Sequence, residues 1–306
     1  MKCIDNLKDF KLNNTAITIG KFDGLHKGHN KLFSVLKENS KDYYKTVLTF
    51  AAKPIDIINN EVSLTIVTEE EKRLLCEKAG MDYYISLPLN RDFLDLSPEQ
   101  FVREILVGIL DIRLIVCGPD FTFGKFGAGN VKTLKMLGRE FGFDVIVVEK
   151  EQYHQQDIGS TEIRSKILEG SIEEANEMLG HPYSVIGRVT EGKQLGRKMG
   201  LPTANIIPDK SKILPPRGVY RTKLITKGNT YNSISNIGIN PTVDEDEVIK
   251  LETHIIDDKE YLYNEIVEIQ FFEYIRPELK FDSVEALKAQ INSDIEKVKK
   301  SIATHD

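Results

Sequence analysis

The chain has 306 residues, of which 41% are apolar and 29% are charged, and its formal net charge is −6 at pH 7. This composition is typical of a soluble globular protein with two domains of ordinary size. The acidic balance gives no reason to expect a nucleic-acid partner. No run of roughly 18 apolar residues predicts a membrane span, and the first residues lack the apolar centre of a signal peptide.

The cysteines also bear on location. Cys3, Cys76 and Cys117 are too few and too scattered for a disulfide framework or a zinc site. We interpret them as reduced thiols and expect a cytoplasmic protein. We also expect small-molecule substrates, no membrane partner, and a monomer or a weak homo-oligomer.

The first 180 residues alternate strand-like and helix-like segments. Short apolar runs, which suit strands buried on both faces of a parallel sheet, occur at 15–19, 45–50, 113–117 and 144–148. Between them, Thr68 with Glu71 predicts a helix start by a capping box, and Ser97 with Pro98 predicts another. The alternation predicts a doubly wound α/β domain over residues 1–180, with its ligand beyond the carboxyl ends of the strands.

The pattern changes near residue 180. A helix is predicted over 171–179, and short alternating segments broken by Gly, Pro and Asn follow it, including a hairpin over 218–225 and 230–234. Apolar residues at helical spacing then predict a closing helix: Val284, Leu287, Ile291, Ile295 and Val298. Residues 181–306 are therefore predicted to form an antiparallel β-barrel with a closing helix.

A glycine-rich turn follows the first apolar run and opens a helix. Gly20 and Gly24 allow the tight turn, and His26 and His29 fall at the helix N-terminus, which favours anions. Two imidazoles there can donate to phosphate oxygens, and Gly28 would leave room for a nucleotide between them. The alternative is a pair of ordinary surface histidines beside a turn. No Cys or acidic cluster nearby completes a metal site.

Residues 20–29 resemble the HxGH signature of adenylyltransferases, in the version found in bacterial FAD synthetases. That family joins an FMN adenylyltransferase to a riboflavin kinase in one chain. The resemblance implies that His26 and His29 stabilise ATP phosphates while the FMN phosphate attacks the α-phosphorus. It also implies ATP contacts from the rest of the turn: Gly20, Phe22, Asp23 and Gly24.

Two further stretches resemble the same family. Residues 118–124 match its G-x-D-F-x-F-G loop, which implies FMN contacts from Asp120, Phe121 and Phe123. Residues 158–164 are similar to its I-S-S-T-x-I-R motif, which implies ATP contacts from Ser160, Thr161 and Arg164.

The residues themselves support part of that second match. Ser160 is placed to cap a helix, and Arg164 one turn later adds a charge-assisted phosphate contact. The alternative is a plain capped helix with a surface arginine.

Two departures from the family pattern concern the first half. The family usually carries T-F-x-P-H-P after the second strand, where this chain has Ala52 and Lys53. It often carries Arg at the position of Gly127. These changes keep open the alternative of a working kinase joined to an impaired transferase.

A second stretch suited to phosphates lies in the other half. Glycines alternate with basic residues over 192–200 before Pro202, which suits a loop that folds over phosphates. Thr203 and Asn205 then supply neutral oxygens for a Mg²⁺ ion that also takes phosphate ligands.

This stretch matches the riboflavin kinase motif G-x-x-x-G-R-x-x-G-x-P-T-A-N, and residues 236–242 and 251–255 resemble the family's N-I-G-x-x-P-T and E-x-H-I segments. The match implies Mg–ATP binding by Gly196, Gly200, Pro202, Thr203 and Asn205. It implies that Glu252 is the base for the riboflavin 5′-hydroxyl, and that Arg276 is a flavin or structural contact. The acidic run 244–247 is interpreted as a solvated hairpin tip.

The resemblance therefore implies a bifunctional enzyme of flavin cofactor synthesis. The barrel would phosphorylate riboflavin to FMN with Mg–ATP, and the α/β domain would adenylylate FMN to FAD with release of pyrophosphate. A rival of another class is a flavin-binding regulator that has lost catalysis. A generic pantetheine- or cytidylyl-type transferase would account for the histidines but not for the second half.

Overall fold

The computed structural model describes residues 1–50, 64–88, 91–191, 200–240, 248–256 and 262–305. The chain divides into two compact units, Met1–Ser160 and Thr161–Asp306. This division falls before the helix predicted at 171–179, whereas the sequence analysis placed the boundary after it, so the boundary at 180 stays a prediction. The predictions about Ala52, Lys53, Gly196 and 244–247 concern positions outside the described residues.

The first unit is built on a parallel sheet. Its strands are β1 (Lys2–Ile4), β2 (Thr15–Ile19), β3 (Tyr44–Phe50), β4 (Tyr83–Leu87), β5 (Ile112–Cys117) and, after the short hairpin β6 (Thr122–Phe123) and β7 (Gly129–Asn130), β8 (Asp144–Val147). They lie in the order β1–β4–β3–β2–β5–β8, and every neighbouring pair is parallel. A second short hairpin, β9 (Gln152–Tyr153) and β10 (Gln156–Asp157), follows.

Helices connect these strands. They are α1 (Lys27–Asn39), α2 (Glu69–Lys78), α3 (Arg91–Leu94), α4 (Pro98–Gln100, continued by a π-helix over Phe101–Val107) and α5 (Val131–Phe141). The predicted doubly wound α/β architecture is confirmed. The strands β2 and β5 are almost entirely buried, which agrees with the continuous apolar runs that predicted them.

The strand order creates a topological switch point between β2 and β5. From β2 the chain proceeds through β3 to β4 on one side, and it later returns to place β5 on the other side of β2. In such sheets a crevice opens at the carboxyl ends of the two strands where the order reverses. Gly20 follows β2 and Gly118 follows β5, so both sequence motifs of this half begin at that crevice.

Both predicted capping boxes are present. In α2 the Thr68 hydroxyl accepts from the Glu71 backbone N–H at 3.2 Å, and the Glu71 carboxylate accepts from the Thr68 N–H at 2.8 Å. Ser97 and Gln100 form the same reciprocal pair at the start of α4. The second helix nevertheless keeps α geometry for only three residues before the π-helix.

The second unit combines helices with an antiparallel barrel. Its elements are α6 (Ser160–Glu169, whose first residue ends the first unit), α7 (Ile172–Leu179), β11 (Ser184–Arg188), β12 (Ala204–Ile206), β13 (Gly218–Thr226), β14 (Asn229–Asn240), β15 (Val248–Ile255), β16 (Ile266–Arg276) and α8 (Val284–His305). The strands lie in the order β11–β16–β13–β14–β15–β12. A bridge between Thr190 and Asn205 joins the two ends of this order, so the barrel is nearly closed and the prediction is confirmed.

The closing helix α8 uses its apolar stripe in two ways. Ile291, Ile295 and Val298 pack with Val219 and Ile234 of the barrel. The first members of the stripe, at 284 and 287, line a cavity instead. No helix in the described part of the chain is long and apolar enough to cross a membrane.

The contribution of the α2 capping box to stability can be measured by substitution at Thr68. We expect Thr68→Ala to lower the free energy of unfolding by about 1 kcal/mol, because the first turn loses a side-chain acceptor. Thr68→Ser keeps the hydroxyl and is the matched control. Urea unfolding of the three proteins makes the comparison, and equal stability of the Ala and Ser variants would contradict the capping role.

Candidate functional site

The turn between β2 and α1 has unusual backbone geometry. Gly24 has φ 87°, but Phe22 and Leu25 also have positive φ, at 48° and 42°. Both of these side chains are only 1% exposed. A left-handed backbone at residues other than glycine costs free energy, and it occurs most often where a site must be held in one shape. Burial of Phe22 and Leu25 holds the turn in this shape.

The two histidines of the turn lie against each other. Their ring centroids are 3.7 Å apart with an angle of 22° between the planes, and the ring of Phe22 meets His29 edge-on at 5.2 Å. A Cβ at Gly28 would lie 3.2 Å from the His26 ring. The expectation that Gly28 leaves room for a nucleotide between the rings is therefore wrong, because the imidazoles stack and His26 takes up that space.

The surroundings of His29 keep its imidazole neutral. Burial lowers its pKa well below the ordinary 6.5, and the nearby His26 ring and the Lys72 ammonium lower it further. Lys72 is itself only 8% exposed and lies 3.4 Å from the Glu69 carboxylate. Within the described residues, the buried Nδ1 atom of His29 has no hydrogen-bond partner. A neutral ring that already lies in a positive environment is suited to donate to an anion.

Asp23 has a structural role that the sequence analysis did not foresee. Its buried carboxylate accepts hydrogen bonds from the backbone N–H groups of Ile66 and Val67, at 2.8 and 3.3 Å. These contacts tie the turn to the segment that leads into α2. The ATP contact predicted for Asp23 stays a prediction.

Ser160 differs from the prediction in detail. It is the first residue of α6 rather than a cap before it, and its hydroxyl donates to the Asp23 carbonyl at 2.8 Å. The hydroxyl thus stabilises the histidine-bearing turn. Thr161 and Arg164 follow on α6, and their predicted ATP contacts stay predictions.

The loop after β5 presents the aromatic residues of the second motif. The rings of Phe121 and Phe123 stack at 5.6 Å with an angle of 16°, and Phe123 is buried against Phe101. Asp120 is exposed and forms an ion pair with Lys150 at 3.1 Å. Phe121 is therefore the better placed of the two rings to contact a flat ligand, since Phe123 is 7% exposed.

Gly127 lies at the tip of the same hairpin. Its backbone is left-handed, with φ 66°. Glycine adopts this conformation without strain, whereas a residue with a side chain would adopt it less readily.

The second unit contains a cavity of about 570 Å³ beside the barrel. One part of its lining is polar: Thr203, Glu252, His254, Arg276, Glu278 and Asp294. Another part is apolar: Leu201, Leu279, Phe281, Val284, Leu287 and Ile291. A concave site with an apolar wall and a few convergent polar groups is typical of small-molecule binding.

Strand register brings the predicted polar residues of this site together. Glu252 of β15 pairs with Asn205 of β12 on one side and with Asn236 of β14 on the other. Directly opposed side chains lie roughly 5 Å apart at Cβ. The Asn205 amide also lies 3.4 Å from the Thr203 hydroxyl. Three sequence motifs that are far apart in the chain thus meet at one position.

Two other predicted residues of this half have supporting roles. Pro202 offers its carbonyl oxygen to Nδ1 of His254 at 2.8 Å, which fixes the start of β12 to β15. Gly200 has φ 79°, a conformation that favours glycine at the end of the phosphate-loop motif.

Arg276 is held by the closing helix. Its Nε and Nη2 atoms each lie 2.8 Å from the Oδ2 atom of Asp294, which is 1% exposed. Gln290 donates to the other carboxylate oxygen at 2.8 Å. Of the two alternatives for Arg276, the structural contact is therefore present.

Asp294 and Glu278 also line the cavity, and neither was predicted to be a site residue. A signal for Asp294 existed, because a charged residue beside Ile291 and Ile295 interrupts an apolar stripe. Glu278 follows Arg276 and Pro277, and nothing in its spacing indicated a site.

Comparison with known proteins identifies both halves. The family model "FAD synthetase" matches residues 9–162, and the model "Riboflavin kinase" matches residues 179–302. A bifunctional riboflavin kinase/FMN adenylyltransferase from Buchnera aphidicola is 40% identical over 304 residues, which cover 97% of this chain and 96% of the relative. The chain belongs to the bifunctional riboflavin kinase/FMN adenylyltransferase family.

Other relatives of this family extend the comparison. The Listeria monocytogenes protein of the same name is 35% identical and covers 92% of this chain and 90% of its own length. A solved structure described as a macrolide-efflux protein from Streptococcus pneumoniae superposes with a TM-score of 0.85 at 30% identity, and covers 97% of this chain and 98% of that one. The family resemblance seen in the motifs is confirmed over nearly the whole chain.

The lowered pKa of His29 has a direct consequence. Because the pKa lies well below 6.5, we expect the imidazole to remain neutral when the pH falls from 8 to 6. Ring-carbon NMR signals followed through the titration measure this, and a His29→Asn variant assigns the signal. A titration midpoint at or above pH 6 for His29 would contradict the expectation.

Proposed function

We propose that the second unit transfers the γ-phosphoryl group of ATP to riboflavin, and that the first unit transfers the adenylyl group of a second ATP to the FMN produced. The first half of this proposal rests on the strand register that pairs Asn205 with Glu252, and on the apolar wall of the cavity that Glu252 lines. The stacked histidines at the crevice of the parallel sheet support the second half.

In the kinase reaction, Glu252 would accept the proton of the riboflavin 5′-hydroxyl. The freed oxygen forms a bond to the γ-phosphorus, and the bond from that phosphorus to ADP breaks. Glu252 is half-buried and lines the cavity, where a bound hydroxyl could lie within hydrogen-bond reach of its carboxylate. The apolar residues Leu279, Phe281 and Leu287 would hold the flavin ring.

Thr203 and Asn205 would bind the Mg²⁺ that accompanies ATP. Both offer neutral side-chain oxygens, and the two side chains are neighbours, since Nδ2 of Asn205 donates to the Thr203 hydroxyl at 3.4 Å. This donor set suits a Mg²⁺ ion that keeps water and phosphate ligands. The ion would neutralise charge on the transferring phosphoryl group. Asn205 pairs with Glu252 across the two strands. The attacking hydroxyl at Glu252 and the phosphate of ATP at Asn205 would therefore lie close together.

In the transferase reaction, His26 and His29 would donate hydrogen bonds to the ATP phosphates. A phosphate oxygen of FMN attacks the α-phosphorus, and pyrophosphate leaves. The N-terminus of α1 adds its free backbone N–H groups to the same charge. We assign Phe121 to contact with the flavin, and we expect the protein to act in the cytoplasm.

The basic test is product analysis. Purified protein is incubated with riboflavin, ATP and Mg²⁺, and the flavins are separated by chromatography. We expect FMN first and FAD later. FMN without FAD would indicate an impaired transferase, and no FMN would indicate a regulator that has lost catalysis.

Loss of the proposed base should separate the two activities. We expect Glu252→Ala to reduce FMN formation by about 100-fold or more, because the hydroxyl loses its proton acceptor. FAD formation from supplied FMN should stay within about twofold of the unmodified protein. That second rate is the control for folding, and equal loss of both activities would contradict two separate sites.

The reverse result is expected at the histidines. His29→Ala should reduce FAD formation from FMN by about 100-fold, because a donor to the transition-state charge is lost, while FMN formation from riboflavin continues. The matched control is His154→Ala, which removes an exposed imidazole of the same unit. Retained FAD synthesis in the His29 variant would remove His29 from the active site.

A further inference from the structure

A second carboxylate, besides that of Glu252, lines the kinase cavity. Glu278 lies just after the end of β16 in an exposed segment, and it lines the cavity. The proposed base is on β15, so the two carboxylates approach the cavity from different strands. Glu278 has no part in the phosphoryl transfer described above.

The neighbours of Glu278 show that its position is set by β14. A methyl group at position 238 would overlap the Oε1 atom of Glu278, so the carboxylate occupies the space that Gly238 leaves. The side-chain amide of Asn236 lies 3.5 Å from the same oxygen. Asn236 and Gly238 belong to the N-I-G segment, so this segment sets the position of the Glu278 carboxylate.

The contact with Asn236 also fixes the position of Glu278 relative to the proposed base. Asn236 pairs with Glu252 across β14 and β15, so the amide that contacts Glu278 is the direct cross-strand neighbour of Glu252. On its other side Glu278 is followed by Leu279, and Phe281 lies two residues further on, in the apolar wall. Glu278 thus contacts the residue that pairs with the base, and it is followed in the chain by residues of the apolar wall.

The chemistry of the proposed substrate matches this arrangement, and the inference therefore rests on the proposed kinase function. Riboflavin has a flat ring at one end, a terminal hydroxyl at the other, and a chain of secondary hydroxyls between them. With the terminal hydroxyl at Glu252 and the ring at the apolar wall, the chain would lie near Glu278, which contacts the cross-strand neighbour of Glu252. A carboxylate accepts hydrogen bonds from hydroxyls, and such charge-assisted bonds are stronger than neutral ones.

We propose that Glu278, seated by Asn236 and Gly238, binds the ribityl hydroxyls of riboflavin and so selects flavins that carry a polyhydroxyl chain. Two variants test it. Glu278→Gln keeps the size of the side chain and removes its charge, whereas Gly238→Ala leaves the charge and displaces the carboxylate. Glu285→Gln, on an exposed residue of the first turn of α8, is the matched control.

The kinetic readout is the KM for riboflavin in FMN formation. We expect both test variants to raise the KM for riboflavin about tenfold, because one charge-assisted hydrogen bond is lost. The kcat should stay within about twofold of the unmodified protein. The control variant should match the unmodified protein. An unchanged KM in both test variants would overturn the proposal.

A second readout separates recognition of the chain from general damage to the cavity. Lumiflavin has the same ring with a methyl group in place of the ribityl chain, and its inhibition constant in the kinase assay reports binding of the ring alone. We expect this constant to be unchanged in both variants. A rise in parallel with the KM would make Glu278 a structural residue and overturn the proposal. If the unmodified protein forms no FMN, the proposed function itself fails, which is a different result.

Discussion

Cross-strand register is the constraint on which the second unit depends, because successive side chains of a strand point to opposite faces. Hydroxyl groups on one face interlock inside the barrel, with oxygens 2.8 Å apart: Thr222, Ser233, Ser235 and Thr253. Asn236 and Glu252 are adjacent to Ser235 and Thr253 in the same strands, and they pair with each other and line the cavity, which Ser235 also lines. A slip of one residue would turn both side chains to the opposite face of the sheet. The hydrogen bonds among the buried hydroxyls oppose such a slip and so help to keep Glu252 at the cavity.

A different constraint acts in the first unit. Parallel strands bring their carboxyl ends to one edge, and the reversal of strand order between β2 and β5 opens that edge. The turn after β2 keeps a left-handed backbone at Phe22 and Leu25 because both side chains are buried. The Asp23 carboxylate and the Ser160 hydroxyl tie it to other segments. These contacts within the protein therefore hold the two histidines in position without a bound ligand.

Much of the fold could be predicted because the signals were local. The apolar runs predicted β2 and β5 within one residue of their ends, and the capping boxes predicted two helix starts. The hairpin was predicted to end at 234, but β14 continues to Asn240. Asn236 and Gly238 have turn-like composition, and their place in a strand depends on pairing with β15, which no short window contains.

The sites were predictable in part for the same reason. Motif spacing identified Glu252 and the two histidines, but it could not indicate that the imidazoles stack at 3.7 Å. Nor could it join Arg276 to Asp294, which lies one element further along the chain. A charged residue on an apolar helix stripe signals that some partner exists, and only the packing of α8 on the barrel shows which residue it is.

The cavity of the second unit has a consequence beyond its own chemistry. Its described lining runs from Leu201 to Asp294 and so comes entirely from Thr161–Asp306. A unit that supplies this lining from its own residues can be duplicated, fused or lost in evolution without rebuilding it. Fusion then has a quantitative effect: one gene produces both units in a fixed ratio of one to one, whatever the level of expression.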